Sequence, residues 1–590
     1  MRRFDTATCA ETARRCDRGF APTAEGSFEL ENIRLLDDGS AILRDGFAYR
    51  CTLPADVRAV LEGSGETNGC VYIVAGSSLY IADTADGSVE KLADIPKSGG
   101  QCTLFRYGGK LHLLDGGELW QLDGGTLTAA GGYIPLYGRN WHPHSRGNVN
   151  EELNLLTRKI RIHYKINELT HSFEPGFKLS SVDYFEVNGV KITGDATPRW
   201  YLESSGLSIM TTGVAAEDSV VICATVAADV IDRSSLTACT AAAVVGDGGA
   251  ARICCYDGTH GERFFISRPV PASDIDEARR ADPASGELYF PVDGRITVGD
   301  GGAAVRAILP IGDDALLMSE GNIYAMKPGR DGAPALTPTD GGVGLSVSSH
   351  AASTAAGALA EFGGRILFVA PNGRATELCD LASRTLASEV KSAAPCRRFG
   401  ELWLSAPADP AGRVLVFNLT HKCVSTFTGV YADRLFPLGD TVGFLRGRDL
   451  YTFDSELSYD QTRTAADSAS GGTSSGGTSA SSTSTTLSPI AGLLTSPFFD
   501  LGKPRTAKRL NYCMPEIRDG AVDIILESDS GYTDSARVRA DICHDLSPAR
   551  PLPPPALCPN IGLFDAMRYR ICISDISRPR MIGMTISVRR

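Results

Sequence analysis

The chain has 590 residues, a formal net charge of −12 and a pI near 5.4, so it carries no surplus of Lys and Arg of the kind that neutralises phosphates in a general nucleic-acid binder. That length exceeds one ordinary core and predicts a large repeat domain with at least one further module, while 63 glycines and 7% aromatics suit many short strands joined by tight turns. The sixteen cysteines are scattered, with no C-x-x-C pair to suggest zinc or dithiol chemistry, and no apolar run is long enough to span a bilayer. With no apolar leader in MRRFDTATCAETARRCDRGF, the expectation is synthesis and retention in a reducing cytosol with free, buried cysteines such as Cys223 and Cys572.

In chain order, residues 1–27 read as a polar arm. Residues 28–135 then read as the first part of an irregular β-propeller, opening on FELENIRLLDDGSAILRDGFAYRC, where Asp38-Gly39 marks a hairpin. VYIVAGSSLYIAD from Val71 follows, and then the clearest unit, TLFRYGGKLHLLDGGELWQLD from Thr103 to Asp123. There Leu111, Leu113, Leu119 and Leu122 alternate with polar residues, and the pairs Gly108-Gly109 and Gly116-Gly117 supply positive φ at turn spacing, which predicts a double hairpin.

Residues 136–228 interrupt the series. NVNEELNLLTRKIRIHYKIN, SSVDYFEVNGVKIT with its Asn188-Gly189 turn, LSIMTTG and SVVICATV predict an inserted β-sandwich. Residues 229–460 resume the repeat in ALLMSEGNIYAMK from Ala315, FGGRILFVAPNGRATEL from Phe362, FGELWLSAP with GRVLVFN from Phe399, and LGDTVGFLRGRDLYTF from Leu438, for about six or seven blades in all. A pair of β-sandwiches with similar hairpins is the competing reading. Residues 461–489 are dominated by Ser, Thr and Gly and read as a flexible loop, and residues 490–590 read as a C-terminal β-sandwich module crossed by the proline-rich RPLPPPALCP.

No residue is assigned as catalytic, cofactor-binding or metal-ligating. His142-Pro143-His144 is the most metal-like element but lacks a third ligand, and the GDGGAA segments at Gly246 and Gly299 lack both the Lys-Ser/Thr of a phosphate loop and the carboxylates of a calcium loop. Asp37-Asp38 and Asp313-Asp314 read as turn residues, since adjacent strand positions face opposite ways. Lys503, Arg505, Lys508 and Arg509, with Arg578, Arg580, Arg589 and Arg590, read as solvated or protein-contact charge. The sequon at Asn418 reads as chance.

The order of elements resembles the propeller-containing tail proteins of tailed bacteriophages, the group labelled tail nozzle, tail hub or stabilisation proteins, especially those of phages of Gram-positive gut bacteria. Four segments carry the likeness: ENIRLLDDGSAILRDGF; YIPLYGRN with EELNLLTRKIRIHY and YFEVNGVKIT; GGAARICCYDG through ELYFPVDGRITVGDGGAAVRAILPIGDDALLMSEGNIYAM; and TSPFFDLGKPRTAKRLN with VDIILESDSG. The long Ser/Thr/Gly segment, the high cysteine content and the weakly marked middle blades depart from that pattern. The resemblance implies a non-enzymatic virion protein without a cofactor, assembled in the bacterial host cytoplasm as a homo-oligomeric ring in the tail. Its neighbours would be adaptor or portal-proximal proteins and tail fibres or spikes, with genomic DNA only in transit. A glycan- or receptor-binding propeller is the alternative, motivated by Trp120, Trp403 and Tyr451.

Overall fold

The computed structural model describes residues 12–18, 20, 28–97, 99–139, 149–193, 195–258, 261–270, 286–298, 303–327, 329, 334–463, 485–500, 507–518, 520–539, 561, 563–574 and 578–589. Strands dominate the regular structure of these residues, with short α-helices at Arg233–Thr237 and Leu381–Leu386. The Ser/Thr/Gly stretch from 464 to 484 and the proline-rich stretch 550–559 lie outside the described residues.

Seven four-stranded antiparallel units dominate, each beginning with a strand that packs on the first strand of the next. Sheet I begins with Val57–Glu62, II with Thr103–Tyr107, III with Ala241–Val245, IV with Val305–Ile311, V with Ala351–Thr354, VI with Ser392–Cys396 and VII with Arg434–Leu438. Successive first strands are neighbours from I to VII, and that of VII returns to that of I, so the order is cyclic. This is a β-propeller-like arrangement, in which small amphipathic sheets bury both faces against their neighbours. Cores between adjacent sheets reflect this: Val71, Ile73, Phe436 and Leu445 fill I against VII, and Val245, Cys254, Ile308 and Leu317 fill III against IV.

Sheet II is the double hairpin expected from Thr103 to Asp123. Strands Thr103–Tyr107, Lys110–Leu114 and Leu119–Asp123 pair in register, and the turn between the first two holds Gly108 and Gly109 at φ 58° and 76°, a geometry side-chain-bearing residues rarely adopt. A pair of further sheets, built from strands between Leu136 and Val226, follows sheet II. One contains Lys159–Lys165, Ser219–Val226 and Leu179–Val187. The other contains Thr170–Phe173, Ile209–Val214 and Trp200–Leu202. Ile162, Phe173, Phe185, Ile209 and Ile222 fill the space between them, and Asn188 at φ 50° with Gly189 turns Leu179–Val187 into Val190–Ile192.

The structure departs from the linear order at the N-terminus. Glu29–Glu31, Ile33–Leu35 and Ala41–Leu43, taken above as the start of the propeller, lie in two sheets with the C-terminal strands Gly492–Thr495, Lys508–Arg518, Ala521–Ser528, Met567–Ile573 and Arg580–Arg589. Their side chains explain it: Leu30, Ile33, Leu35 and Leu43 share one core with Leu494, Ile524, Tyr569, Ile571 and Ile586. Thr12–Arg18, taken above as part of an arm, pairs along Gly583–Arg589. The propeller proper begins at Gly46–Thr52, and that strand completes sheet VII by pairing with Asp449–Asp454. Gly46 is obligatory there, because a β-carbon would stand 2.1 Å from the Tyr459 carbonyl oxygen. A single parallel pairing, Glu31 with Thr426, joins the C-terminal sheet to sheet VI.

Candidate functional site

The chain concentrates its buried charge where sheets VI and VII meet the C-terminal sandwich. The strand Ile33–Leu35 carries Arg34 into this junction and the link after Ala41–Leu43 carries Arg44 and Asp45, all nearly inaccessible to solvent. Arg34 donates to Asp45 at 2.7 Å and to Glu401 at 3.0 Å, and its guanidinium lies 3.8 Å from the Phe399 ring centre. Arg44 donates to both oxygens of Asp460 at 2.9 and 2.6 Å and to Asn32 Oδ1 at 2.9 Å. Arg578 adds a bond of 2.7 Å to the second oxygen of Asp45, and Trp403 Nε1 donates to the second oxygen of Glu401 at 3.0 Å.

Three arginines face three carboxylates, so the cluster is neutral by count, which is the condition under which such groups can be buried together. Burial alone would weaken the charge on Arg34, but Glu401 and Asp45 outweigh it and hold the guanidinium protonated. Asp45 is likewise pulled below the usual carboxylate range by Arg34 and Arg578 in spite of burial. Glu401 and Asp460 lean the other way: desolvation dominates and raises both. Two members of this region, Asn32 at φ 51° and Arg578 at φ 52°, adopt the left-handed region that most side-chain-bearing residues avoid. Each is held by tertiary bonds, Asn32 Nδ2 to Thr428 Oγ1 and the Ala491 carbonyl, Arg578 to the Ser455 and Leu43 carbonyls.

Two open clefts flank the junction. One, of about 390 Å³, is lined by Asp45, Arg50, Arg398, Asp440 and Asp454 among others, and the second, of about 430 Å³, by Leu35, Leu36, Asp37, Asp38, Arg398, Phe399 and Arg580. Chemically the cluster fastens modules: its hydrogen bonds join residues up to 535 positions apart, and its polar atoms are turned on one another. Sequence reasoning missed Arg34, Arg44, Asp45, Glu401 and Asp460. The signal available was an Arg within or directly after each of two short apolar runs, LENIRLL and AILRDG, where a buried arginine needs an acid.

The other residues singled out from sequence fall as follows. His142-Pro143-His144 lies outside the described residues, as do Lys503, Arg505 and Gly299. Asp247 of the first GDGGAA segment accepts from the Gly248 amide within a turn. Asp38 accepts from Ser40 and pairs with Arg580, and Asp37 is exposed beside it. Asp313 is exposed in the turn before Asp314, which opens a strand. Lys508 departs from the solvated-charge reading: it is fully buried, its Nζ donating to the Asp565 carbonyl at 2.9 Å. Arg578 is engaged in the junction. Asn418 is buried, with Nδ2 donating to the Leu35 carbonyl at 3.3 Å.

The aromatic residues behind the glycan-binding alternative are engaged in the protein. Trp403 and Tyr451 are 0% and 2% exposed, and half-buried Trp120 donates to Asp115 at 2.9 Å. The twelve cysteines whose side chains are described are free thiols, with burial pushing Cys254, Cys396 and Cys423 up to about 12. Among the described residues no group of His, Cys, Asp and Glu is placed to hold a metal ion, and no helix is long and apolar enough to cross a membrane.

No family model matches the chain, and no curated protein matches it. Solved structures similar to it include the AfRom2 CNH domain, at 8% identity and a TM-score of 0.33 over 69% of this chain and 99% of that one. A BBS1N chain solved in complex with ARL6DN matches at 10% identity and 0.36 over 70% and 96%. YCF48 from Cyanidioschyzon merolae matches at 11% identity and 0.27 over 70% and 99%.

Proposed function

We propose that the chain is a structural component of a tailed-bacteriophage virion, a ring-forming tail nozzle or hub subunit that works by assembly and through which DNA leaves the particle. In this reading the seven sheets close as seven blades, residues 136–228 form an inserted sandwich, and the N- and C-terminal strands form a second sandwich fastened to the last two blades. The observation that carries it is the buried clasp of Arg34, Arg44 and Arg578 on Asp45, Glu401 and Asp460, which locks the closing strand, the last blades and the C-terminal sandwich into one body. Fastening distant segments of one chain into a single body suits a rigid conduit subunit, and the ordered segments resembling tail proteins supply the biological setting. The ring, its adaptor or portal-proximal neighbours and its tail fibres or spikes belong to this proposal.

The test is to purify virions of a phage carrying this gene, quantify its peptides by mass spectrometry and locate the protein by electron microscopy. A ring of this chain at the tail is the expected result. Its absence from purified particles overturns the proposal.

A further inference from the structure

We propose that Asn68 is a site of spontaneous covalent modification, at which the folded chain converts asparagine to aspartate or isoaspartate through a succinimide. The fold suppresses the same reaction at the two other Asn-Gly pairs.

Asn-Gly occurs at Asn68, Asn188 and Asn372. In each pair the second residue has no side chain to shield its amide nitrogen, so the three are alike in an unfolded chain. Ring closure needs an asparagine side chain able to swing onto its own main chain. It also needs a free amide on the next residue and open space around that residue.

Asn68 meets all three conditions. The pair lies in the turn between Val57–Glu62 and Cys70–Ala75 of sheet I, and both of its residues are exposed. Among the described residues the Asn68 side chain makes no hydrogen bond and the Gly69 amide donates none. Gly69 is anchored by its carbonyl instead, which accepts from Thr84 N at 3.1 Å and from Thr84 Oγ1 at 2.5 Å. A β-carbon built on Gly69 would meet no atom within 4 Å.

Asn188 is exposed as well, but its side chain is engaged at both ends. Nδ2 donates to Asp218 Oδ1 at 2.7 Å and Oδ1 accepts from the Ser219 amide at 2.9 Å, so a swing onto Gly189 would break both bonds. At Asn372 the obstacles lie on either side. Oδ1 accepts from the Arg374 amide at 3.1 Å, and the Gly373 amide donates to the Ala370 carbonyl at 2.8 Å. A β-carbon on Gly373 would also stand 2.4 Å from Thr339 Oγ1, so the space there is closed.

The reaction requires only base and water. Base takes the Gly69 amide proton, the nitrogen bonds to Asn68 Cγ, the bond from Cγ to Nδ2 breaks, and Nδ2 takes up a proton and leaves as ammonia. Water then opens the succinimide at one of its two carbonyls, giving aspartate or isoaspartate. Either product adds a negative charge to an exposed turn that already carries Glu66, and isoaspartate also lengthens the main chain there by a carbon.

Peptide mapping by mass spectrometry tests this on the full chain, incubated in warm, mildly alkaline buffer made with heavy-oxygen water so that each conversion is labelled as it occurs. Labelled product should accumulate at residue 68 several-fold faster than at 372 or 188. Asn68→Gln should remove that signal and melt like the wild type, and Asp218→Ala should raise the rate at Asn188 alone. In guanidinium chloride the three rates should converge, since the fold is what separates them. Conversion at Asn68 no faster than at Asn188 and Asn372 in the folded chain would overturn the proposal. A lead for Asn68 that persisted undiminished in guanidinium chloride would overturn the protection assigned to the fold at the other two.

Discussion

Arg44 grips Asp460 with both ends of its guanidinium, at 2.9 and 2.6 Å, although 416 positions separate the two residues. The pair ties the segment that precedes the closing strand Gly46–Thr52 to the segment that leaves sheet VII. Removing one partner leaves the other buried and unmatched. Arg44→Met should therefore destabilise the chain by about 3–5 kcal/mol, and Arg44→Met with Asp460→Leu by clearly less than the sum of the single changes. Urea unfolding of the four proteins in the double-mutant cycle measures this, and additive losses would contradict it.

Gly46 should be irreplaceable for a steric reason. Its absent β-carbon would fall 2.1 Å from Tyr459 O and 2.9 Å from the Leu457 β-carbon. Gly46→Ala should cost about 1–3 kcal/mol through overpacking, whereas Gly321→Ala, with open space around it, should be close to neutral. The comparison of melting temperatures decides it.

Stability should fall in mild acid because of buried histidines. Desolvation lowers His112 and His163 to about 4 from an ordinary 6.5. Both are neutral in the folded chain, and the unfolded chain takes up protons that the folded one refuses. Their contribution is complete above about pH 6.5 and is lost as the pH falls toward 4, by up to about 3 kcal/mol each. His112 stacks on Phe105 at 5.3 Å, so His112→Phe should flatten the decline between pH 6.5 and 4 in a denaturation series while leaving the pH 8 value near that of the wild type. An unchanged slope would refute the assignment.

Thiol reactivity should be confined by burial. Among the described cysteines Cys379 is exposed, whereas Cys254, Cys396 and Cys423 are buried with thiols near 12. Maleimide labelling at pH 7.5 followed by peptide mapping should modify Cys379 before the other described cysteines, and the buried three only after denaturation. Early labelling of Cys254 would show that the contact between sheets III and IV opens readily.

Local features were legible in the sequence wherever a period of two coincided with a turn that only certain residues make. Thr103 to Asp123 and the Asn188-Gly189 hairpin are of this kind, because alternation and positive φ are properties of adjacent residues. The partnership of Leu30, Ile33 and Leu43 with Leu494, Ile571 and Ile586 was not legible, since nothing in a strand's own pattern says which distant strand it pairs with. The same holds for the junction. Arg34 and Arg44 look like surface residues until Glu401 and Asp460 are brought to them by closure. Lys508 was misjudged for a related reason: the backbone carbonyl that its Nζ reaches, that of Asp565, carries no signature in the sequence.

The strand Gly46–Thr52 completes sheet VII, and the strands before it lie among the last hundred residues of the chain. The order of synthesis thereby opposes the order of folding. As the chain leaves the ribosome, Leu30, Ile33, Leu35 and Leu43 must wait, apolar and uncovered, while more than four hundred residues are added before Leu494 and Ile586 exist to meet them. Such pairings across nearly the whole chain are closed late and slowly. A chain that ends between the seventh sheet and Leu494 would still expose Leu30, Ile33, Leu35 and Leu43, a natural substrate for chaperones and proteases.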